Sequence, residues 1–280
     1  MRVTLWGTRG SLPSLGPGNA SYGGNTPCVE VRGDDGTLLV LDAGTGIRRL
    51  GTTVGPEVDR IDVLLTHLHM DHLQGLGFFR PLFVPGVKVC IWGPAAVGAS
   101  LRDRLLRGLS PPLYPVRLRD LPSEITLRDA PRGSFRVGGL MVTADFVCHP
   151  GPTMGYRVEE GGRVLCYLPD HEPALGVRNF PGEARWTSGY GLARGADVLI
   201  HDCTYTAVEY PERAGWGHSA IDHAVAFGEL ARVGRLVTFH HEPGHDDVML
   251  DRMREAAVAA AQPAFPVVAG TEGASFRVGA

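Results

Sequence analysis

Short apolar runs, each bounded by glycine, proline or charge, recur along this chain and set its order of elements. RVTLWG opens as a strand, and a Gly/Pro/Ser-rich loop follows from Thr8 to about Asn25. CVEVR and TLLVLDAG are two more strands, joined through GDDG, a hairpin turn signal. TGIRRLGTTV predicts a short helix, IDVLLTH a buried strand, and DHLQGLGFF the start of another helix. VKVCIWGP then predicts a strand and AAVGASLRDRLLRGL a helix, before Pro-rich PPLYPVRLRDLP leads to further strands.

The second half repeats the style. LMVTADFVCHP, MGYRVEEGGRVLCYLPD and ADVLIHDCTY are strands, with EEGG folding the middle one into a hairpin. SAIDHAVAFGELARVG and DDVMLDRMREAAVAAAQ predict helices on either side of the strand RLVTFHH, and FPVVAG and GASFRVG close the chain. Antiparallel runs followed by strand–helix alternation in each half predict an α/β protein, a four-layer αββα sandwich of two mixed β-sheets with outer helices. No shift in composition marks a linker, so residues 1–280 are expected to form one domain, with 73–122 as a candidate lid or substrate-shaping region.

At 280 residues and 44% hydrophobic content the chain can bury a substantial core. A net charge of −3 gives no strong nucleic-acid signal, although bound cations would add positive charge that this count omits. The five cysteines are scattered without a C-x-x-C pair, several in apolar runs, which fits buried free thiols in a reducing compartment. Glycine and arginine interrupt the first residues too early for a signal peptide, and no apolar run reaches the ~18 residues a membrane span needs. The expectation is a cytoplasmic protein with no membrane association; its oligomeric state, including a homo-oligomer, stays open.

One segment changes the picture. THLHMDH places His67, His69, Asp71 and His72 directly after an apolar strand. Residues two apart in an extended segment face the same way, so His67 and His69 point to one metal, and Asp71 and His72 can turn towards a second. Imidazole and carboxylate donors suit zinc, with manganese or iron as alternatives.

THLHMDH resembles the H-x-H-x-D-H signature of the metallo-β-lactamase superfamily, and other motifs of that superfamily occur here in order. LDAGTG resembles its early aspartate motif, which implies that Asp42 orients a ligand histidine from behind; a strand-ending turn aspartate is the plainer alternative. CHPGPTMGYRV implies His149 as the third histidine, and YLPDHE implies Asp170 as a carboxylate bridging two metals. The last histidine motif falls in LVTFHHEP, where His240 and His241 must face opposite sides of a strand. His240 aligns with the family position and is assigned as the ligand, which leaves His241 behind it or at the rim. The resemblance thus implies two divalent ions per chain: His67, His69 and His149 on one, and Asp71, His72 and His240 on the other, with Asp170 shared. A metal-bridged hydroxide would be the nucleophile of such a hydrolase.

Two further stretches resemble the phosphodiesterase branch, which includes transfer-RNA 3′-processing endonucleases and cyclic-phosphate phosphodiesterases. HDCTY followed by GWGHSAIDHAV implies that Asp202 holds His218 against the scissile phosphate, so His218 and Asp202 join Asp71 as catalytic residues. The endonucleases carry glutamate where Asp202 stands, and Ser219 could instead begin a helix beside His218. LWGTRGSLPSLGPGNASYGGNTPCVEV resembles the branch's glycine-rich opening, which suggests Arg9 or Asn25 as a phosphate contact. His201 and His223 read as a strand-end and a helix-face residue, and His245 as a helix cap or part of the mouth. No lysine-rich RNA-gripping insertion is visible, so the partner expected is a small or cyclic phosphodiester. An RNA 3′-end endonuclease, a lactone, ester or β-lactam hydrolase, and a metal-binding sensor or partner-binding protein are the competing readings.

Overall fold

A computed structural model describes residues 1–279. Its strands, numbered along the chain, fall into two sheets of seven. The first holds β1 (Arg2–Gly7), β2 (Cys28–Arg32), β3 (Leu38–Leu41), β4 (Arg60–Leu64), β5 (Lys88–Pro94) and β6 (Glu124–Ala130). The second holds β7 (Gly133–Val137), β8 (Leu140–Phe146), β9 (Met154–Glu160), β10 (Arg163–Leu168), β11 (Val198–Asp202), β12 (Leu236–Phe239) and β13 (Val267–Ala269). The last strand, β14 (Ser275–Arg277), returns to pair antiparallel with β1.

Each sheet is half antiparallel and half parallel. β1, β2 and β3 pair antiparallel, and β3 to β6 run parallel. β7 to β10 form an antiparallel meander, and β10 to β13 run parallel. Parallel neighbours need crossovers, which the helices supply. These are α1 (Ile47–Thr53), α2 (Met70–Leu73), α3 (Leu101–Leu106), α4 (Tyr190–Ala193), α5 (Tyr210–Arg213), α6 (Ile221–Ala231) and α7 (Asp247–Ala261).

Strand alternation sorts the apolar side chains into layers. Val3, Val31, Leu39 and Leu64 of the first sheet meet Val142, Tyr156, Leu165 and Phe239 of the second in a shared core. The opposite face of the first sheet, with Val40, Val63 and Ile91, packs on Ile47 and Leu50 of α1 and Leu101 and Leu105 of α3. The outer face of the second sheet, with Cys166, Leu199 and Leu236, packs on α4, α6 and α7. This is the expected α/β sandwich, the metallo-β-lactamase fold. All five cysteines are free thiols, and four are buried. Among the described residues, no helix is long and apolar enough to cross a membrane.

Two helix expectations shrink. The one beginning at Asp71 is a single turn, α2, followed by 3-10 turns at Leu76–Phe78 and Arg80–Phe83. Gly75 and Gly77 fit where a side chain would strike Gly44 O at 2.0 Å or the Tyr114 ring at 2.4 Å, so close packing replaces regular helix. The helix expected in AAVGASLRDRLLRGL starts late, at Leu101, where Ser100 accepts the Asp103 N–H. Within 73–122, Leu76, Phe79 and Leu82 are core, while Leu73 and the stretch 104–108 border the candidate site.

Candidate metal centre

The loops leaving the C-terminal ends of β3, β4, β8, β10, β11 and β12 converge on one edge of the sandwich. The main chain links the two sheets there, since Met154 donates its N–H to Thr66 O at 2.8 Å. β4 ends at Leu64, so His67 and His69 lie in a loop and not in strand alternation as expected. They converge because that loop turns into α2, which carries Asp71 and His72.

Two donor groups form. His67, His69 and His149 place one ligand atom each within 4.8 Å of one another, and so do Asp71, His72, Asp170 and His240. Nε2 of His149 lies 3.3 Å from Nδ1 of His69. Asp170 stands between the groups. Its Oδ1 is 3.8 Å from Nε2 of both His67 and His149 and 3.2 Å from Nε2 of His240, and its Oδ2 is 2.9 Å from Nε2 of His72. Asp71 Oδ2 lies 3.2 Å from His240 Nε2 and 3.3 Å from His72 Nε2.

The donors fit cations. Nε2 of His67 is buried with no hydrogen-bond partner within the protein, and Nε2 of His72 and Oδ2 of Asp170, buried 2.9 Å apart, make no aligned hydrogen bond. Buried polar atoms are costly when unpaired, and cations held by the two donor groups would satisfy them. Burial, with His72 adding repulsion, pushes the His67 imidazole well below its ordinary value. Burial also takes His149 down to about 4, against the pull of Asp170. Both therefore present the neutral imidazole that a metal requires. Burial opposes ionisation of Asp170, yet His240, His72 and His67 hold it well below the usual carboxylate range.

Buried partners fix four of these imidazoles, His67, His72, His149 and His240, from behind. Asp42, fully buried with φ +60°, faces His72 Nδ1 at 2.9 Å, where the resemblance implied it. It also accepts the Thr66 N–H at 2.7 Å, the Thr66 hydroxyl at 3.0 Å and the Tyr167 hydroxyl at 2.9 Å. The Thr66 hydroxyl in turn lies 3.0 Å from His67 Nδ1. His149 Nδ1 donates to Gly217 O at 2.8 Å, and Thr204 Oγ1 sits 3.1 Å from His240 Nδ1.

His218 stacks on His240, with ring centroids 4.8 Å apart, and its Nδ1 lies 2.7 Å from Asp202 Oδ2. Burial opposes its charge, but Asp202 outweighs burial and, with Asp170 and Asp71, raises the imidazole to about 9. Asp202 reaches despite its short side chain because β11 ends beside the Gly217–Ser219 turn; its Oδ1 also accepts the Ser219 and Thr204 N–H groups. Ser219 caps nothing. Its hydroxyl donates to His171 O, and α6 begins after Ala220.

Several expectations need correction. Arg9 does not face the donors. Its fully buried guanidinium donates to Gly23 O at 2.9 Å, His245 O at 2.6 Å and Glu242 O at 3.3 Å, the last of which also accepts the His245 N–H, so it ties together loops that crowd there. Asn25 is engaged by Glu272, to which its amide donates at 2.7 Å. His241 points away from both groups: Nε2 donates to Gly270 O at 3.0 Å and the ring packs edge-on against Tyr22. The cap of α7 is Asp246, whose side chain accepts the Met249 N–H, while His245 pairs with Glu209 at 2.9 Å. His201 is a buried strand-end residue, and His223, on α6, packs against Tyr210 of α5.

Sequence reasoning missed Glu172 and Gly217. The buried Glu172 carboxylate accepts the N–H groups of Gly176, Gly215 and Gly217 and the Tyr210 hydroxyl. Gly217 has φ +86°, and a Cβ there would lie 2.5 Å from His149 Nδ1. The only available signal was YLPDHE itself, where Glu172 stands two residues after Asp170.

The sequence model described as a beta-lactamase superfamily domain matches residues 37–241. A ribonuclease Z from Thermoplasma acidophilum is 26% identical, over 91% of each chain. Among solved structures, the metallo-beta-lactamase fold protein YhfI from Bacillus subtilis is similar with a TM-score of 0.73 at 19% identity, covering 99% of each chain. The short form of human tRNase Z superposes with a TM-score of 0.67 at 24% identity over 100% of each chain.

Proposed function

Because the chain belongs to the beta-lactamase superfamily domain family, we propose that it is a dinuclear metal-dependent hydrolase that cleaves a small or cyclic phosphodiester. The observation that carries this reading is the Asp202–His218 pair, 2.7 Å apart, set beside Asp170 and both donor groups. His67, His69 and His149 would hold one cation, Asp71, His72 and His240 a second, and Asp170 would touch both. Two such ions would supply an activated water and positive charge for phosphoryl oxygens.

The protein's own part is positioning and proton supply. Asp202 fixes Nδ1 of His218, so Nε2, which has no protein partner among the described residues, is free to face a phosphoryl oxygen or leaving group. A raised imidazole pKa keeps the proton in place at neutrality. Asp42, Thr66 and the Gly217 carbonyl hold the ligand rings in orientation.

The likeness to ribonuclease Z along 91% of the chain favours a second reading, an RNA 3′-end endonuclease. Against it stands a net charge of −3, since 30 Asp and Glu outnumber 27 Lys and Arg, which provides little for a long polyanion. The test is protein reconstituted with zinc, manganese or iron and assayed on bis(p-nitrophenyl) phosphate, cyclic nucleotides, cyclic sugar phosphates, unprocessed transfer RNA, lactones and β-lactams. Two ions per chain and turnover of small diesters are expected. Cleavage of transfer RNA at low enzyme concentration promotes the second reading; turnover confined to lactones or lactams overturns both, and two bound ions without turnover leave a metal-binding sensor.

A further inference from the structure

Beside the first donor group lies a cavity of about 330 Å³ whose wall includes His67, His69, Met70, Arg104, Arg107 and Pro152. Its size is at the small end of ligand sites. Its apolar walls come from α2 and from the Pro150–Pro152 turn after His149, and its charge comes from the end of α3 and the residue following it. The walls are close: a Cβ at Gly108 would sit 3.9 Å from both Met70 Sδ and Leu73 Cδ1.

Its charge is one-sided. Among the described residues no carboxylate lines the cavity. Arg104 is mostly buried, donates through one terminal nitrogen to Pro94 O, and has its nearest carboxylate, Asp129, 4.0 Å away on the surface. Its Nε is buried and has no partner. Arg107 is exposed and forms no ion pair among the described residues. Two arginines in the wall of a carboxylate-free cavity beside the donor groups would favour an anion: phosphate oxygens match the planar donor array of a guanidinium.

We propose that Arg104 and Arg107 form an anion subsite that selects substrates carrying a terminal phosphate in addition to the scissile diester. The subsite rests on the phosphodiesterase reading and narrows its substrate class. Its size admits one such group with part of a sugar, which favours a terminal phosphate over the next link of a nucleic-acid chain.

The test compares thymidine 5′-(p-nitrophenyl phosphate) with the same ester bearing a 3′-phosphate, on the metal-loaded protein. The added phosphate is expected to raise kcat/KM by about tenfold or more, chiefly through KM, and the gain should shrink as salt rises. Arg107→Gln should bring the ratio of the two substrates close to one; Arg107→Lys should restore part of it. Arg107 is exposed, so these variants are expected to fold; Arg104→Lys adds a variant that keeps the charge but loses the fork. Equal kcat/KM for the two esters in the wild-type protein, or a ratio unmoved in Arg107→Gln, overturns the subsite and leaves the phosphodiesterase reading standing. An unphosphorylated trinucleotide ester showing the same gain overturns the terminal-phosphate assignment. Turnover of neither ester defeats both the subsite and the reading beneath it.

Discussion

The Glu172 carboxylate accepts the Gly217 N–H at 3.0 Å, and the carbonyl of that same glycine receives Nδ1 of His149 at 2.8 Å. A buried acid outside the donor groups thus sets the angle of a candidate metal ligand through a single residue, Gly217. Glu172→Ala would leave three N–H groups without their acceptor and the Tyr210 hydroxyl with Val177 O alone, a loss on the order of 3 kcal/mol. The expected result is a lower Tm and selective weakening of the His67–His69–His149 ion. Metal content after dialysis, measured beside thermal unfolding, checks it; two ions retained at full affinity would show that the loop does not need Glu172.

His218 should work as a cation. Burial lowers its proton affinity, but Asp202 outweighs this and takes the pKa to about 9. Activity that needs the proton is present below that value and falls as pH rises through it. Asp202→Asn removes the main raising charge, so the alkaline limb of kcat should move to lower pH while metal content stays at two ions. His218→Ala should lower kcat by about 10²–10⁴. A His218→Ala protein with full turnover of bis(p-nitrophenyl) phosphate would sink the role.

How far the site was legible follows from where its information lies. THLHMDH packs four donors into seven residues, and His149 and Asp170 each end an apolar strand, so local pattern marks them. The layers of the fold were legible for the same reason, because period-two apolar runs commit a strand to a face. Glu172 was not, because its partners lie up to 45 residues away and are backbone N–H groups that no side-chain pattern reveals. Arg9 misled because the resemblance of its glycine-rich loop suggested a phosphate contact, whereas its guanidinium serves the backbone carbonyls of neighbouring loops. The convergence of His67 and His69 has a cause other than strand alternation, since the strand stops before them.

Arg9 therefore predicts a loss of stability and not of catalysis. Arg9→Met keeps much of the stem but strands the Gly23 and His245 carbonyls, takes one of two donors from Glu242 O and removes the partner 3.6 Å from Asp247. A destabilisation of about 3–5 kcal/mol is expected, with kcat/KM per folded, metal-loaded molecule changed little. Urea unfolding with active-site titration separates the two. A variant of normal stability but impaired KM for a diester would restore Arg9 as a phosphate contact.

Acid sensitivity should be traceable to His201, which is not among the candidate ligands. Its ring is fully buried, with Nδ1 donating to Asp202 O at 2.7 Å and Nε2 lying 2.8 Å from His171 Nδ1. Burial lowers its pKa from 6.5 to about 4, more strongly than Asp202 raises it. The unfolded chain therefore binds a proton below pH 6.5 that the folded chain refuses until about pH 4. Its contribution is complete above the unfolded value and is lost as pH falls through that window, at about 1.4 kcal/mol per pH unit. His201→Gln costs stability at every pH, but the slope of unfolding free energy between pH 6.5 and 4 should flatten by about one proton. Urea titrations of both proteins at several pH values in that window give the slopes; equal slopes would mean that His201 is protonated in the folded state and shares its proton with His171.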